Sequence, residues 1–325
     1  MSTLPAFKTP LSSSLFIPEG FERLFSPLTF GAKARNTACD ALFYDVTSLN
    51  GTETTKLISE TTREGSILVV HPKGVKDDGI EKFTTYESFR SAPGDLLRRF
   101  TIAGVGSSDV GAAAFARTVA NKFNEPVGAI VSGYGIADLI TEALGGWFVL
   151  GGLNRNLLRL QRLAEASDIQ SFQALCETLT PTAEVDTASS PSNTQIDVGG
   201  DITSILRLLA DPERQIISFA GHSKGCLAIA FALELLAFTG TPEEIERAQK
   251  MRVTTVGAVV AVPSSFTNVG QYLGSIDWFG GMNSRLGVEH TEVEGAWHHL
   301  NTKLGPAFLD FAKVLDSEAS HMIAP

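Results

Sequence analysis

The sequence predicts an α/β protein with a mostly parallel central sheet flanked by helices and interrupted by an inserted helical segment. Three observations carry this. From Arg99 onward, short apolar runs of strand length alternate with segments of helix length, the pattern of a parallel sheet covered on both faces. A serine flanked by glycines, Gly221-His222-Ser223-Lys224-Gly225, stands at one of the strand-to-helix junctions. The 325 residues are 43% hydrophobic and 19% charged, enough apolar material for one large core.

The elements follow in order. Within residues 1–98, "ALFYDV" and "SILVVHPKGV" are the clearest candidate strands, rich in β-branched and aromatic residues and bounded by turn formers. This part reads as an N-terminal extension of the sheet. "FTIAGVG" is a buried strand, "DVGAAAFARTVANKF" a helix with a small-residue face, "PVGAIVSGYG" a second apolar strand and "IADLITEAL" a helix. Residues 136–199 then break the alternation. They hold an apolar helical part around Trp147, Phe148, Val149 and Leu150, a helix at "SFQALCETL", and a polar linker over 180–198 whose composition suits a mobile segment. The alternation resumes with the helix "GDITSILRLLAD", the strand "RQIISFAG", the helix "KGCLAIAFALELLAF" and the strand "VTTVGAVVAVP". Two short candidate strands, "NVGQYLGSID" and "GVEHTEVEG", precede a last helix, "NTKLGPAFLDFAKVL". No internal repeat is visible, so residues 1–325 read as a single domain.

Charge and cysteine usage narrow the function classes. The net charge of −10 and the absence of a basic stripe argue against a nucleic-acid partner. The most apolar tract outside the strands, Leu139 to Asn154, is shorter than a bilayer span and contains Glu142, so stable membrane insertion is not expected. Cys39, Cys176 and Cys226 lie far apart, without metal-ligand spacing or a disulfide framework. No basic-then-apolar leader opens the chain, and the expected location is the cytoplasm. Gly104, Gly106 and Gly111 do not fit the spacing of a dinucleotide fingerprint, and no phosphate-loop lysine follows them; neither cofactor nor metal is expected. The oligomeric state is left open.

The glycine–serine pattern alone is weak, since a chain of this composition produces it by chance about 0.2 times. Its position gives it meaning. A serine on a sharp turn between an apolar strand and an apolar helix has its hydroxyl lifted above the sheet edge. The flanking Gly221 and Gly225 relieve collisions with neighbouring backbone. The helix N-terminus beneath favours developing negative charge. The alternative is a tight structural turn.

In G-H-S-x-G and the surrounding strand–helix order, residues from about Phe100 to the C-terminus resemble the α/β-hydrolase superfamily, and its lipases and esterases in particular. The resemblance implies a Ser–acid–His triad in that chain order, with Ser223 as nucleophile. The base is then expected in "EGAWHHLN". His298 is favoured because G-A-W-H is similar to the turn that carries the base in many members, with His299 as the alternative. His222 is a poor base, because its side chain would project away from Ser223. His71 comes before the nucleophile, His290 lies within a candidate strand, and His321 is close to the C-terminus. Asp277, at a candidate strand end before a glycine-rich turn, is the expected acid; Glu289, Glu292 and Glu294 are less well placed, and an aspartate there also suits a helix cap. The oxyanion donors are expected to be the amide of Lys224 and the loop over Gly106, Ser107 and Ser108, with Asp109 as helix cap. The lysine side chain is expected to be solvated or to steer an acidic substrate. The insertion at 136–199 takes the place where the superfamily often carries a lid, or else packs as part of the body. The implied activity is serine-dependent hydrolysis of a small-molecule carboxylic or lipid ester. A thioesterase, amidase or acyltransferase on the same residues is the nearest alternative, and a non-catalytic binding protein the further one.

Overall fold

The computed structural model describes residues 40–59, 63–75, 80–92, 97–104, 107–132, 172–178 and 199–316. The sheet strands are β1 (Ile67–Val70), β2 (Ile80–Phe83), β3 (Arg99–Ile102), β4 (Val127–Ile130), β5 (Ser218–His222), β6 (Arg252–Val256), β7 (Val269–Gly274) and β8 (Thr291–Val293). The helices are α1 (Gly51–Ser59), α2 (Tyr86–Arg90), α3 (Asp109–Phe123), α4 (Phe172–Thr178), α5 (Gly200–Ala210), α6 (Lys224–Thr239), α7 (Pro242–Gln249) and α8 (Trp278–Met282), with a final turn of helix over 311–316.

The eight strands form one sheet in the order β2-β1-β4-β3-β5-β6-β7-β8. From β4 to β8 every pairing is parallel, whereas β1 runs antiparallel to both β2 and β4. The N-terminal extension is therefore joined by an antiparallel edge. The short link from β1 to β2 permits only that direction, because a parallel return needs a crossover of about a dozen residues or more.

Two cores sandwich the sheet. On one face Phe100, Ile102 and Phe219 pack with Ile205, Leu209, Ile229 and Leu233 of α5 and α6. On the other, Leu68, Val127 and Ala220 meet the alanine-rich face of α3 and Phe311. Ala112, Ala113, Ala116 and Ala120 are all buried, so α3 lies close to the sheet because little side chain intervenes.

Three elements differ from the sequence expectation. "ALFYDV" forms no strand: residues 40–43 make a helical turn and Val46–Ser48 a 3-10 turn. The Asp45 carboxylate accepts from the Thr47 amide at 3.1 Å, taking a backbone donor that a strand ladder would need. The last helix is confined to 311–316. Gly305, at φ +78°, and Pro306, which has no N–H to donate, interrupt the segment before it. The helix cap of α3 is Ser108 rather than Asp109: its hydroxyl accepts from the Val110 amide, and Asp109 instead meets Lys82 at 2.9 Å.

Most of the insertion, including Trp147 to Leu150 and the linker over 180–198, lies outside the described residues. Its described part, α4, is a helix of the body: Phe172, Leu175 and Cys176 are buried in the core beside α5 and α6. The Glu244 carboxylate accepts from the Phe172 and Gln173 amides, capping α4 from α7.

Candidate active site

The parallel register aligns the carboxyl ends of the central strands, with Ile102 beside Gly221 and His222 beside Val256. Ser223 follows β5 directly and has φ +51° and ψ −118°, a conformation that a residue with a Cβ rarely adopts and that costs about 1–3 kcal/mol. The turn is held on both sides. The Ser223 amide donates to the Val256 carbonyl at 3.0 Å, and its carbonyl accepts from Cys226 at 2.9 Å.

The two glycines are there for want of space. A Cβ on Gly225 would lie 2.2 Å from the Ile102 carbonyl oxygen, and one on Gly221 2.8 Å from the Cys226 nitrogen. Both obstacles are backbone. Gly225→Ala is therefore expected to destabilise the protein by about 3 kcal/mol or more, read as a fall in urea midpoint; an unchanged midpoint would contradict this packing.

Although Ser223 occupies the N-cap position of α6, its side chain makes no capping hydrogen bond. The hydroxyl instead lies 3.1 Å from His298 Nε2, and His298 Nδ1 lies 2.8 Å from Asp277 Oδ2. A carboxylate can only accept, so Nδ1 carries the proton and Nε2 presents its lone pair to the serine hydroxyl. His298 and Asp277 are almost completely buried, with side-chain exposures of 1% and 0%, so their pairing is shielded from water. Phe279 stands edge-on to the imidazole with ring centroids 4.7 Å apart, and Phe43 packs on it at 5.9 Å.

Asp277 divides its oxygens between two tasks. Oδ2 faces His298, while Oδ1 accepts from the Gly280 amide at 2.6 Å and caps α8. The helix-cap and histidine-orienting alternatives thus coexist. Gly280 makes the approach possible: a Cβ there would lie 2.4 Å from Asp277 Oδ2 and from the Gly257 carbonyl. Of the competing acids, Glu292 lies in β8, and Glu289 and Glu294 flank that strand, whereas the carboxylate that meets His298 is Asp277.

His299 takes no part in this chain of bonds, and its Nδ1 has no hydrogen-bond partner among the described residues. Its ring is buried without a hydrogen bond to Ser223 or Asp277, and burial lowers its pKa. His290 Nδ1 instead meets the Val288 carbonyl at 3.0 Å, and His321 lies outside the described residues. His222 sits on β5 with its ring turned away from the serine hydroxyl. Its Nδ1 meets Tyr44 Oη at 2.7 Å and its Nε2 meets the His298 carbonyl at 2.9 Å. Burial, then the neighbouring His298, holds the His222 pKa well below the usual imidazole range.

The oxyanion side departs from expectation at Ser107. Its amide donates to the Gly104 carbonyl at 3.3 Å, and the Ser108 amide donates to Asp40 at 3.1 Å. An N–H has one proton to give, so neither is presented toward Ser223. Val105 and Gly106 lie outside the described residues. The Lys224 amide opens α6 immediately after the serine. The Lys224 side chain is neither solvated nor directed to a substrate: Nζ lies 3.5 Å from Asp201 and 3.6 Å from Glu64.

Sequence reasoning missed the contribution of residues 40–44. Phe43 and Tyr44 pack on the site, and two hydrogen bonds fasten the segment beside His298: Leu300 N–H to the Phe43 carbonyl at 2.8 Å and Asn301 Nδ2 to the Ala41 carbonyl at 2.6 Å. Asp40 accepts from the amide and hydroxyl of Ser108, and Gly111 leaves room for it, since a Cβ there would lie 2.1 Å from its carboxylate. The only local hint was an aspartate followed by two aromatics in a short apolar run, which reads equally well as a strand.

Burial raises the Asp40 pKa from 3.8 to about 7, against the lowering effect of the Ser108 hydrogen bonds. The folded state therefore holds a proton that the unfolded state releases near the ordinary value. The associated stability is present in acid and is lost as pH rises toward about 7. The wild type is expected to lose about 2–3 kcal/mol between pH 5 and 8 through this group. Asp40→Asn keeps an acceptor for Ser108 without the titration, so urea midpoints at the two pH values should converge in that variant. Equal pH dependence in both proteins would contradict this assignment.

Among the described residues no group of three or more histidine, cysteine, aspartate or glutamate side chains could hold a metal ion, and no helix is long and apolar enough to cross a membrane. No protein-family model, curated protein or solved structure matches the chain.

Proposed function

We propose that the chain is a serine hydrolase with an α/β-hydrolase fold that cleaves a carboxylic or lipid ester through an acyl-enzyme. The observation that carries this reading is the continuous hydrogen-bonded chain Ser223–His298–Asp277, closed at 3.1 and 2.8 Å, with its serine on a strained turn that does not use the hydroxyl as a cap. A purely structural turn would gain from a capping hydroxyl. Here that gain is forgone and the hydroxyl faces a base.

In this mechanism Ser223 Oγ attacks the acyl carbon while His298 Nε2 takes its proton. The Asp277 carboxylate stabilises the resulting imidazolium and keeps the ring oriented. The oxyanion of the tetrahedral intermediate is met by the Lys224 amide at the N-terminus of α6. Collapse expels the alkoxide, which receives the proton from His298. Water, deprotonated by the same nitrogen, then releases the acid. The order serine after β5, aspartate after β7 and histidine after β8 supports the fold assignment. The test is turnover of a p-nitrophenyl ester series of increasing acyl length, with rapid-mixing detection of the first turnover. Catalysed release of p-nitrophenol from at least one ester is expected. No turnover of any of the esters by folded protein would contradict the ester reading.

A further inference from the structure

We infer that Tyr44 and His222 are positioning residues that tie the proposed base to the loop after β3. The inference rests on the hydrolase reading of Ser223, His298 and Asp277. Three hydrogen bonds form one chain. The Gly104 amide donates to Tyr44 Oη at 2.7 Å, Tyr44 Oη meets His222 Nδ1 at 2.7 Å, and His222 Nε2 meets the backbone carbonyl of His298 at 2.9 Å.

The proton positions follow from chemistry. A carbonyl only accepts, so His222 Nε2 must carry a hydrogen. The ring is neutral, because burial and the adjacent His298 oppose a charge there. Nδ1 is therefore bare and accepts from the Tyr44 hydroxyl, whose oxygen in turn accepts from Gly104 N–H. Each member has one assignment, and reversing any of them would leave two donors or two acceptors facing each other in a buried site. Tyr44 is 2% exposed and His222 1%.

The chain joins two parts of the site that are distant in sequence. At one end it fixes the backbone of the residue whose imidazole must meet the Ser223 hydroxyl. At the other it fixes Gly104, which lies against the elbow: a Cβ there would be 3.2 Å from the Ser223 Cβ. There is little slack between them. A Cβ on Gly257 would lie 3.0 Å from the His298 ring and 3.1 Å from His222 Nε2, and one on Gly104 3.2 Å from His222 Nδ1. The two imidazoles have centroids 4.9 Å apart. Displacement of His222 is therefore transmitted to His298, and proton transfer to a base is sensitive to shifts well under 1 Å.

The experiment compares wild type with Tyr44→Phe, His222→Asn and His222→Gln in the full chain. It records kcat and KM on a p-nitrophenyl ester, the melting temperature, and the nitrogen-15 spectrum of His222. An asparagine can keep the acceptor toward Tyr44 but loses the donor to the His298 carbonyl; a glutamine can reach that carbonyl but loses Tyr44. Tyr44→Phe and His222→Asn are expected to lower kcat by about 10- to 100-fold with KM within about twofold. His222→Gln should recover about tenfold of the His222→Asn loss. In wild type the proton should reside on Nε2 of His222. Equal kcat for the glutamine and asparagine variants, wild-type kcat in folded Tyr44→Phe, or a proton on Nδ1 would each overturn the inference while an active wild type left the hydrolase reading standing. An inert wild type with the expected His222 spectrum would overturn the hydrolase reading itself, and the positioning role with it.

Discussion

Ser223→Ala is expected to reduce kcat/KM on any accepted ester by about 10⁴-fold or more, with little change in melting temperature. The reasoning separates chemistry from architecture. The elbow is held by backbone bonds from Ser223 to Val256 and Cys226, and by the absence of side chains at Gly221 and Gly225, none of which involves the hydroxyl. The hydroxyl bonds to His298 and does not cap α6. Removing it should leave the fold intact and abolish the nucleophile. Residual activity would reflect water attack assisted by the remaining donors. The check is ester hydrolysis beside a thermal melt. Activity within tenfold of wild type would eliminate Ser223 as the attacking group.

Asp277→Asn should cost about 10³- to 10⁴-fold in kcat near neutral pH, although the substitution is nearly isosteric. One oxygen can still accept from Gly280, so α8 keeps its cap. The new amide group faces His298 Nδ1 with hydrogens, which drives the imidazole to the opposite tautomer, with Nε2–H directed at Ser223. A nitrogen that already carries a proton cannot take the serine's. Asp277→Ala should share the kinetic loss and add about 1 kcal/mol of instability, because the Gly280 amide then loses its acceptor. Comparing kcat and urea midpoints of the two variants separates the two oxygens' tasks. Equal stability of the two would show that the cap contributes nothing.

What was legible in the sequence was what the chain states locally. The strand–helix rhythm gave most elements, including α3 over its full length, because burial on both faces leaves long unbroken apolar runs. The elbow was visible because its glycines answer a steric need within five residues. Asp277 and His298 were legible as strand-end and loop residues, but choosing His298 over the adjacent His299 depended on a likeness of the preceding turn. In three dimensions the two differ in their partners: the His298 ring bridges Ser223 and Asp277, whereas His299 Nδ1 is buried without a hydrogen bond among the described residues.

The rest was invisible for physical reasons. Tyr44 reaches His222 across 178 positions, and no local pattern announces such a partner. "ALFYDV" resembled a strand because its aromatics are needed at the site, and aromatic runs look alike whichever purpose they serve. Ser107 was a reasonable donor by position, but the Gly104 carbonyl claims its amide and Asp40 claims that of Ser108. Lys224 beside the serine suggested steering, yet Asp201, from a helix on the flank of the sheet, engages its charge.

The central claim is that Ser223 is an activated nucleophile. The most direct measurement is treatment of the full chain with a fluorophosphonate, followed by peptide mapping of the adduct. The account predicts one adduct, on Ser223, absent from Ser223→Ala and formed about 10³-fold more slowly in Asp277→Asn. Folded wild-type protein that forms no adduct, or forms one on a different residue, would contradict it.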